Sequence, residues 1–111
     1  MEYLNTGENL GTGYTTVLSA TSTTKLLVKT AHACNAFSAD TSFYLQWYDS
    51  SASSTYSLSS NVTIPTASSF QALDGTFVLD NNDYIKAKCG VITGTSVDLT
   101  LSYMEITNSE G

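Results

Sequence analysis

The chain has 111 residues and a formal net charge of −6, from four Lys, no Arg and ten Asp or Glu. This length suits one domain, and the acidic balance excludes the basic surface that nucleic-acid binding requires. The longest apolar runs are three residues, as at Phe77–Leu79, against the ~20 that cross a bilayer. No basic-then-apolar leader opens the chain. We therefore expect a soluble domain with no nucleic-acid partner, no membrane partner and no export signal.

Ser and Thr make up 33 of the 111 residues, yet the chain is 41% hydrophobic and contains seven Tyr, four Phe and one Pro. A disordered Ser/Thr-rich stalk would lack those apolar side chains. Thr, Val, Ile, Tyr and Phe suit the half-buried surface of a β-sheet. The composition therefore favours a folded β domain.

Residues 1–13 contain three Gly, two Glu and two Asn without a sustained period, so we predict an irregular arm with Tyr3 and Leu4 as its anchors. Turn signals every 8 to 12 residues then predict an all-β fold over residues 14–111. We expect a single antiparallel β-sandwich or jelly-roll-like domain of about seven or eight strands. The predicted strands are Tyr14–Ala20, Lys25–Cys34, Ser42–Asp49, Tyr56–Ile64, Phe70–Leu73, Phe77–Leu79, Tyr84–Cys89 and Ser96–Thr107.

Alternation is clearest in the strand Ser42–Asp49, where Phe43, Leu45 and Trp47 share one face. We predict that this face is buried and that Tyr44 and Tyr48 project from the other side. Tyrosine combines an apolar ring with a polar tip and suits contact with a partner.

Two further local patterns make predictions about chain direction. Asp74-Gly75 lies between two short apolar runs and favours a type I′ hairpin turn. In the last strand, Met104 and Ile106 follow an alternating apolar series and predict a bulge or a change of face.

The residues that usually carry catalysis are scarce. Ser22 and Lys25 match an S-x-x-K pattern that chance explains, and His32 is the sole histidine, with no G-x-S-x-G turn to present a nucleophile. We therefore predict a non-enzymatic protein with no catalytic residue.

No cofactor-binding or metal-binding residue is predicted either. One His with the distant Cys34 and Cys89 cannot fill a structural zinc site, and we expect two separate thiols. The stretch Asp80-Asn81-Asn82-Asp83 favours a turn, although its oxygens leave ion binding open.

Three segments carry a resemblance to a known class of protein. They are Val62-Thr63-Ile64-Pro65 leading to Leu73-Asp74-Gly75-Thr76-Phe77-Val78-Leu79, then Asp83-Tyr84-Ile85-Lys86-Ala87, and Val97-Asp98-Leu99-Thr100-Leu101-Ser102-Tyr103-Met104-Glu105-Ile106. Over about the C-terminal half, with a looser match from Tyr14 to Asn35, the chain resembles small virion structural proteins of tailed bacteriophages. Asn82-Asp83 stands where such proteins more often have Gly-Asp. The resemblance implies a β-sandwich particle component.

Within that class we expect a capsid decoration or cement protein that braces the major capsid shell, in a virion assembled in the host bacterial cytoplasm. Its partners would be the major capsid protein or other virion proteins, and closed symmetry favours a homo-oligomer, with a trimer as the expected state. The predicted partner interface is Tyr3, Leu4, Tyr44 and Tyr48.

Two other functions stay open at this point: a neck, tail or fibre-associated virion protein, and a carbohydrate-binding sandwich that uses Trp47, Tyr44 or Tyr48. The net charge of −6 predicts a partner patch that carries Lys or Arg. Deletion of residues 1–10 is expected to weaken attachment without unfolding the domain.

Overall fold

The computed structural model describes residues 3–35, 40–73, 76–90 and 97–107. Every regular element within these ranges is a β-strand. The described residues therefore contain no helix that could cross a bilayer. The nine strands are β1 (Tyr3–Leu10), β2 (Thr15–Ser19), β3 (Thr24–Asn35), β4 (Thr41–Asp49), β5 (Ser54–Ile64), β6 (Ser69–Leu73), β7 (Phe77–Leu79), β8 (Tyr84–Cys89) and β9 (Val97–Thr107).

The strands form two antiparallel sheets. Sheet A has the order β1-β9-β3-β6, with β7 also paired to β3, and sheet B has the order β2-β8-β4-β5. The pairs β4 with β5, β3 with β6 and β7, β2 with β8, and β1 with β9 describe one long ribbon folded at the β4–β5 turn. Rolling this ribbon brings β3 beside β9 and β4 beside β8. That arrangement is a jelly roll, and the predicted fold class is confirmed.

The core lies between the two sheets and follows the alternation of the strands. On β4, Phe43 and Leu45 are fully buried while Tyr44 and Tyr48 lie on the outer side. Trp47 is partly buried and packs against the core. The other fully buried large apolar side chains are Leu10, Val28, Ile64, Leu79, Ile85, Val97, Leu99 and Leu101. The face prediction for β4 is therefore confirmed for Phe43, Leu45, Tyr44 and Tyr48, whereas Trp47 is only partly buried.

The N-terminal segment differs from the prediction. Residues 3–10 form β1, which pairs with β9 along its whole length, from Tyr3 opposite Met104 to Leu10 opposite Val97. The irregular arm predicted there is wrong for this stretch, because Leu10 is a fully buried core residue. The outward positions are Asn5, Gly7 and Asn9, which have low strand propensity and hide the alternation.

The two short strands β6 and β7 are not a hairpin. Leu73 lies opposite Ala31 and Phe77 lies opposite Val28, so both strands run along β3 in the same direction. Asp74 and Gly75 themselves lie outside the described residues. The hairpin prediction is wrong because each short strand pairs with β3 instead of with the other.

The irregularity predicted in β9 lies on its neighbour. The pairing of β9 with β3 shifts register between Val28 and Thr30, which makes Lys29 the extra residue of a bulge. β9 keeps its alternation, with Tyr103 opposite Val28 and Met104 opposite Leu27. Met104 and Ile106 therefore continue the outer face of sheet A, and the predicted bulge or change of face in β9 is wrong.

Candidate interaction surface

The outer face of sheet B carries a continuous group of tyrosine and lysine side chains, which we name the tyrosine-lysine face. On β4 and β8, Tyr44 lies opposite Lys88 and Tyr48 opposite Tyr84. Because β8 lies between β2 and β4, side chains of β4 and β8 meet there with that of Tyr14, which directly precedes β2. The face consists of Tyr14, Tyr44, Tyr48, Tyr84, Lys86 and Lys88.

Both lysines contact aromatic rings. The Lys88 Nζ atom lies 4.8 Å from the ring centroid of Tyr14 and 4.6 Å from that of Tyr44. The Lys86 Nζ atom lies 5.4 Å from the Tyr14 centroid. An exposed cation–π contact contributes roughly 0.5–1 kcal/mol, enough to bias a long side chain toward one position. Lys88 is therefore held between two tyrosines.

The remaining tyrosines of the face are also held in place. The Tyr48 and Tyr84 rings stack with centroids 4.8 Å apart and an interplanar angle of 19°. The Tyr44 hydroxyl donates a hydrogen bond of 3.2 Å to Oδ1 of Asn61 on the neighbouring β5. Desolvation by burial is the main cause that raises the pKa of Tyr14 above its ordinary value of 10.0, and the charge of Tyr44 raises it further. The Tyr14 ring that contacts the lysines at neutral pH is therefore an uncharged phenol.

Acidic side chains are absent from this face. Asp49, at the end of β4, is the sole Asp or Glu in the four strands of sheet B. Its Oδ1 atom accepts hydrogen bonds from the Ser51 amide, at 3.2 Å, and from the Ser51 hydroxyl, at 2.8 Å. Within the described residues, the ion pair is between Lys25 and Asp80, at 3.7 Å, away from the face. The tyrosine-lysine face is therefore the basic side of an acidic protein.

Sequence reasoning found two members of this face and missed four. The alternation of β4 predicted that Tyr44 and Tyr48 project outward. The same period in β8 puts Lys86 and Lys88 on the side of the sheet away from the buried Ile85. What the sequence could not supply is that β8 lies beside β4, because alternation fixes the face of a side chain and not the neighbouring strand.

Trp47 lies on the inner side of sheet B and is covered by other rings. Tyr56 stacks on it at 5.4 Å, and Phe77 meets it edge-on at 5.4 Å. Its Nε1 atom donates a hydrogen bond of 3.2 Å to Oδ2 of Asp83. The indole is therefore a packing residue at the end of the core and does not present an open ring.

Asp83 is 2% exposed and holds three segments together. Besides Trp47, its carboxylate accepts hydrogen bonds from the backbone amides of Ser50, at 2.9 Å, and Asp80, at 3.1 Å. The Asp83 amide in turn donates to the Asp80 carbonyl, which closes the predicted turn. The Asp83 oxygens thus serve N–H donors, and no cluster of three or more His, Cys, Asp or Glu suited to a metal ion occurs among the described residues.

The structure separates the four predicted interface residues. Tyr44 and Tyr48 lie on sheet B, whereas Tyr3 and Leu4 belong to β1 on sheet A. Leu4 is partly buried opposite Tyr103, and the side chain of Tyr3 lies outside the described part of the chain. Tyr3 and Leu4 therefore do not extend the tyrosine-lysine face.

The residues weighed for catalysis are also apart. Ser22 lies in the β2–β3 turn rather than at a helix start, and His32 is exposed on the outer face of sheet A. Cys34 and Cys89 are both thiols, as predicted. The Cys89 Sγ atom is buried and donates to the carbonyl oxygens of Leu10, at 3.3 Å, and Gly11, at 3.2 Å.

A second exposed feature is a small apolar row across sheet A. Leu27 lies opposite Val78 on one side and Met104 on the other. Val78 is 49% exposed, and the other two are partly buried. The row belongs to the sheet that does not carry the lysine-tyrosine contacts.

Comparisons with known proteins bear on the fold. No protein-family model matches the chain, and no curated protein matches it. A chain in the acidic stable capsid structure of Helicobacter pylori bacteriophage KHP30 is similar, with a TM-score of 0.55 and 10% identity. The match covers 95% of this chain and 91% of that chain, so the two have nearly the same length. At this identity the likeness concerns the fold alone.

Proposed function

We propose that this protein is a non-enzymatic structural component of a phage virion, and specifically a decoration or cement protein that binds the assembled shell through the tyrosine-lysine face. The observation that carries the proposal is the jelly roll itself, shared over 95% of the chain with a chain in a phage capsid structure. A fold alone does not define a function, so the surface supplies the second argument.

The tyrosine-lysine face has properties of a contact surface. Its rings are fixed by stacking and by lysine contacts, so little side-chain entropy remains to be lost when a partner covers them. Tyrosine is enriched at protein interfaces for its large, rigid contact area. Each copy of the protein would bind an equivalent site of a symmetric shell through this face, with Tyr44 and Tyr48 as central contacts.

The protein would act in the virion after assembly in the host bacterial cytoplasm, with the major capsid protein or another virion protein as its partner. A trimer is the proposed oligomeric state, because closed symmetry lets identical contacts form around a shell axis. A neck, tail or fibre position within the same virion is the alternative location, and labelling in particle images would distinguish it.

The test is co-sedimentation of purified protein with shells assembled without it. We expect the wild-type protein to pellet with shells and the Tyr44→Ser, Tyr48→Ser double variant to remain in the supernatant. The matched control is His32→Ser with Thr100→Ala, which alters exposed positions on sheet A. Light scattering of the free protein should give three times the chain mass of 11.9 kDa.

Two outcomes contradict the proposal in different ways. A monomer in solution that binds shells would remove the trimer and keep the decoration role. A protein that binds no virion component would refute the virion role. The carbohydrate-binding module would then be the next function to test, with the partly buried Tyr48 and Tyr84 rings of the outer face as candidate contacts, because Trp47 is covered.

A further inference from the structure

We infer that the tyrosine-lysine face binds an extended, acidic protein segment whose carboxylates are two residues apart, with Lys86 and Lys88 as their partners. The inference rests on the proposed function, because it names the chemistry of the surface that the virion partner would present. It also reverses the sign expected from the net charge, which predicts a partner rich in Lys or Arg.

The charges close to the face, rather than the net charge of the chain, decide whether a charged partner is attracted or repelled at contact. The net charge of −6 acts at long range, but salt at physiological strength screens it beyond about 8 Å. Within that distance of the face, a partner meets the ammonium groups of Lys86 and Lys88 and no Asp or Glu of the sheet B strands other than Asp49 at one end. Two carboxylates directly precede these strands. Asp83, before β8, is buried and accepts hydrogen bonds from three N–H donors, and Asp40, before β4, accepts a hydrogen bond of 3.0 Å from the Thr66 amide. A basic patch would therefore be repelled at the face, and an acidic one attracted.

The spacing of the two lysines selects an extended segment. Lys86 and Lys88 are alternate residues of β8, so their Cα atoms are roughly 6.8 Å apart. Alternate side chains of a second extended chain have the same spacing, so carboxylates at positions i and i+2 match the two ammonium groups. Lys88 is already held between Tyr14 and Tyr44, which reduces the entropy lost when a carboxylate binds.

The size and charge of the face favour a protein segment over nucleic acid. The face extends about 10 Å across β2, β8 and β4 at a strand spacing of about 4.8 Å, and about 14 Å along β8 from Tyr84 to Lys88. Its projected area of roughly 140 Å² is a fraction of the ~800 Å² that each partner buries in a standard interface. Such a contact fits one strand-like segment, and repeated copies on a shell would supply avidity. Two lysines on a chain of charge −6 are too few to neutralise a phosphate backbone, which typically takes six or more contacts.

The experiment is an NMR titration of the isotope-labelled protein with a synthetic Glu-Thr-Glu-Thr-Glu peptide at low salt. We expect amide shifts confined to β2, β4 and β8, and their loss at high salt. A Gln-Thr-Gln-Thr-Gln peptide should cause no comparable shifts. Lys86→Gln with Lys88→Gln should raise the Kd about tenfold, because two exposed ion pairs are removed.

The chain offers a matched control. Lys25→Gln with Lys29→Gln removes the same charge from sheet A, so both double variants have a net charge of −6 − 2 = −8. This control should change the Kd less than about twofold. If both double variants lost peptide affinity equally, net charge alone would explain the binding, and the inference would be overturned. Absence of binding, or equally tight binding of a single-stranded oligonucleotide, would also overturn it.

Shell binding separates this inference from the proposed function. If the wild-type protein binds the peptide but no shell, the inference stands and the virion role fails. If it binds shells and the Lys86, Lys88 double variant binds them equally well, the virion role stands and the acidic partner is refuted. Melting curves should show that both variants remain folded, since each loses only surface contacts, which contribute about 1 kcal/mol or less apiece.

Discussion

Removal of the Asp83 carboxylate should be among the most damaging single changes to this fold. The side chain is buried and joins Trp47, the turn after β4 and the turn before β8 through three hydrogen bonds of 2.9–3.2 Å. A hydrogen bond to a charged group contributes about 1.5–3 kcal/mol. The Ser50 and Asp80 amides lie in turns where water can partly replace the lost acceptor. We therefore expect Asp83→Ala to lower the free energy of unfolding by about 3–5 kcal/mol, a large part of the ~5–15 kcal/mol typical of a domain.

Two further variants separate the geometry from the charge. Asp83→Asn keeps one oxygen acceptor and loses the charge, so it should cost about 2–3 kcal/mol. Asp80→Asn removes the same charge from an exposed carboxylate, whose only described ion pair is the 3.7 Å contact with Lys25. That control should cost under about 1 kcal/mol.

Urea unfolding is the appropriate assay, because Trp47 is the sole tryptophan and hydrogen-bonds directly to Asp83. Trp47 fluorescence and far-UV circular dichroism should give coincident transitions for a two-state domain, and the midpoint shift gives the free-energy change. The reasoning is refuted if Asp83→Ala unfolds at the wild-type midpoint, or if Asp80→Asn is equally destabilising.

Four further changes have defined outcomes. Trp47→Ala should cost about 2–3 kcal/mol in urea unfolding, less than for a fully buried indole, because the ring is only partly buried; a wild-type midpoint would contradict its packing role. Ala67→Gly should stabilise by roughly 0.5 kcal/mol, because Ala67 has a φ of 59°, which strains a residue with a Cβ atom; destabilisation would contradict this. Deletion of residues 1–10, which the sequence predicts to leave the domain folded, should instead unfold most of the chain by circular dichroism, since β1 covers β9 and supplies the buried Leu10; a folded product would refute this. The raised pKa of Tyr14 means that folding favours its protonated form, so the stability of the fold should decrease as the pH rises above about 10. Tyr14→Phe should lessen this decrease in alkaline melting curves, and an unchanged decrease would contradict the assignment to Tyr14.

Local pattern predicted most strands and their faces, since period-two alternation is a direct consequence of strand geometry. The bounds predicted for β4 and β8 differ from the observed ones by at most one residue. Failures arose where the outcome depended on a distant partner. β1 is a strand because β9 offers it an edge, and β7 continues along β3 although Asp74-Gly75 favours a reversal.

The candidate surface shows the same division. Tyr44 and Tyr48 could be placed outward from the sequence, and so could Lys86 and Lys88. Their meeting at one face required the strand order of sheet B, which depends on the rolled ribbon and on contacts between distant parts of the chain. The local charge of this surface is therefore opposite in sign to the net charge of the molecule, and the acidic partner that we infer from it differs from the basic partner patch that the net charge predicts.

The place of β9 in sheet A governs when this protein can fold during its synthesis. Of the nine described strands, β9 is synthesised last, yet it lies between β1 and β3, which are among the first. Until the ribosome has completed β9, β1 has no neighbour in the sheet and one edge of β3 stays bare, and such edges promote aggregation. Long-range pairing of this kind is also slow, because a long loop must close before any contact is gained. A chain that stops before β9 would thus lack Val97, Leu99 and Leu101 of the core that supports sheet B, and we expect it not to present the outer face of sheet B in its folded form.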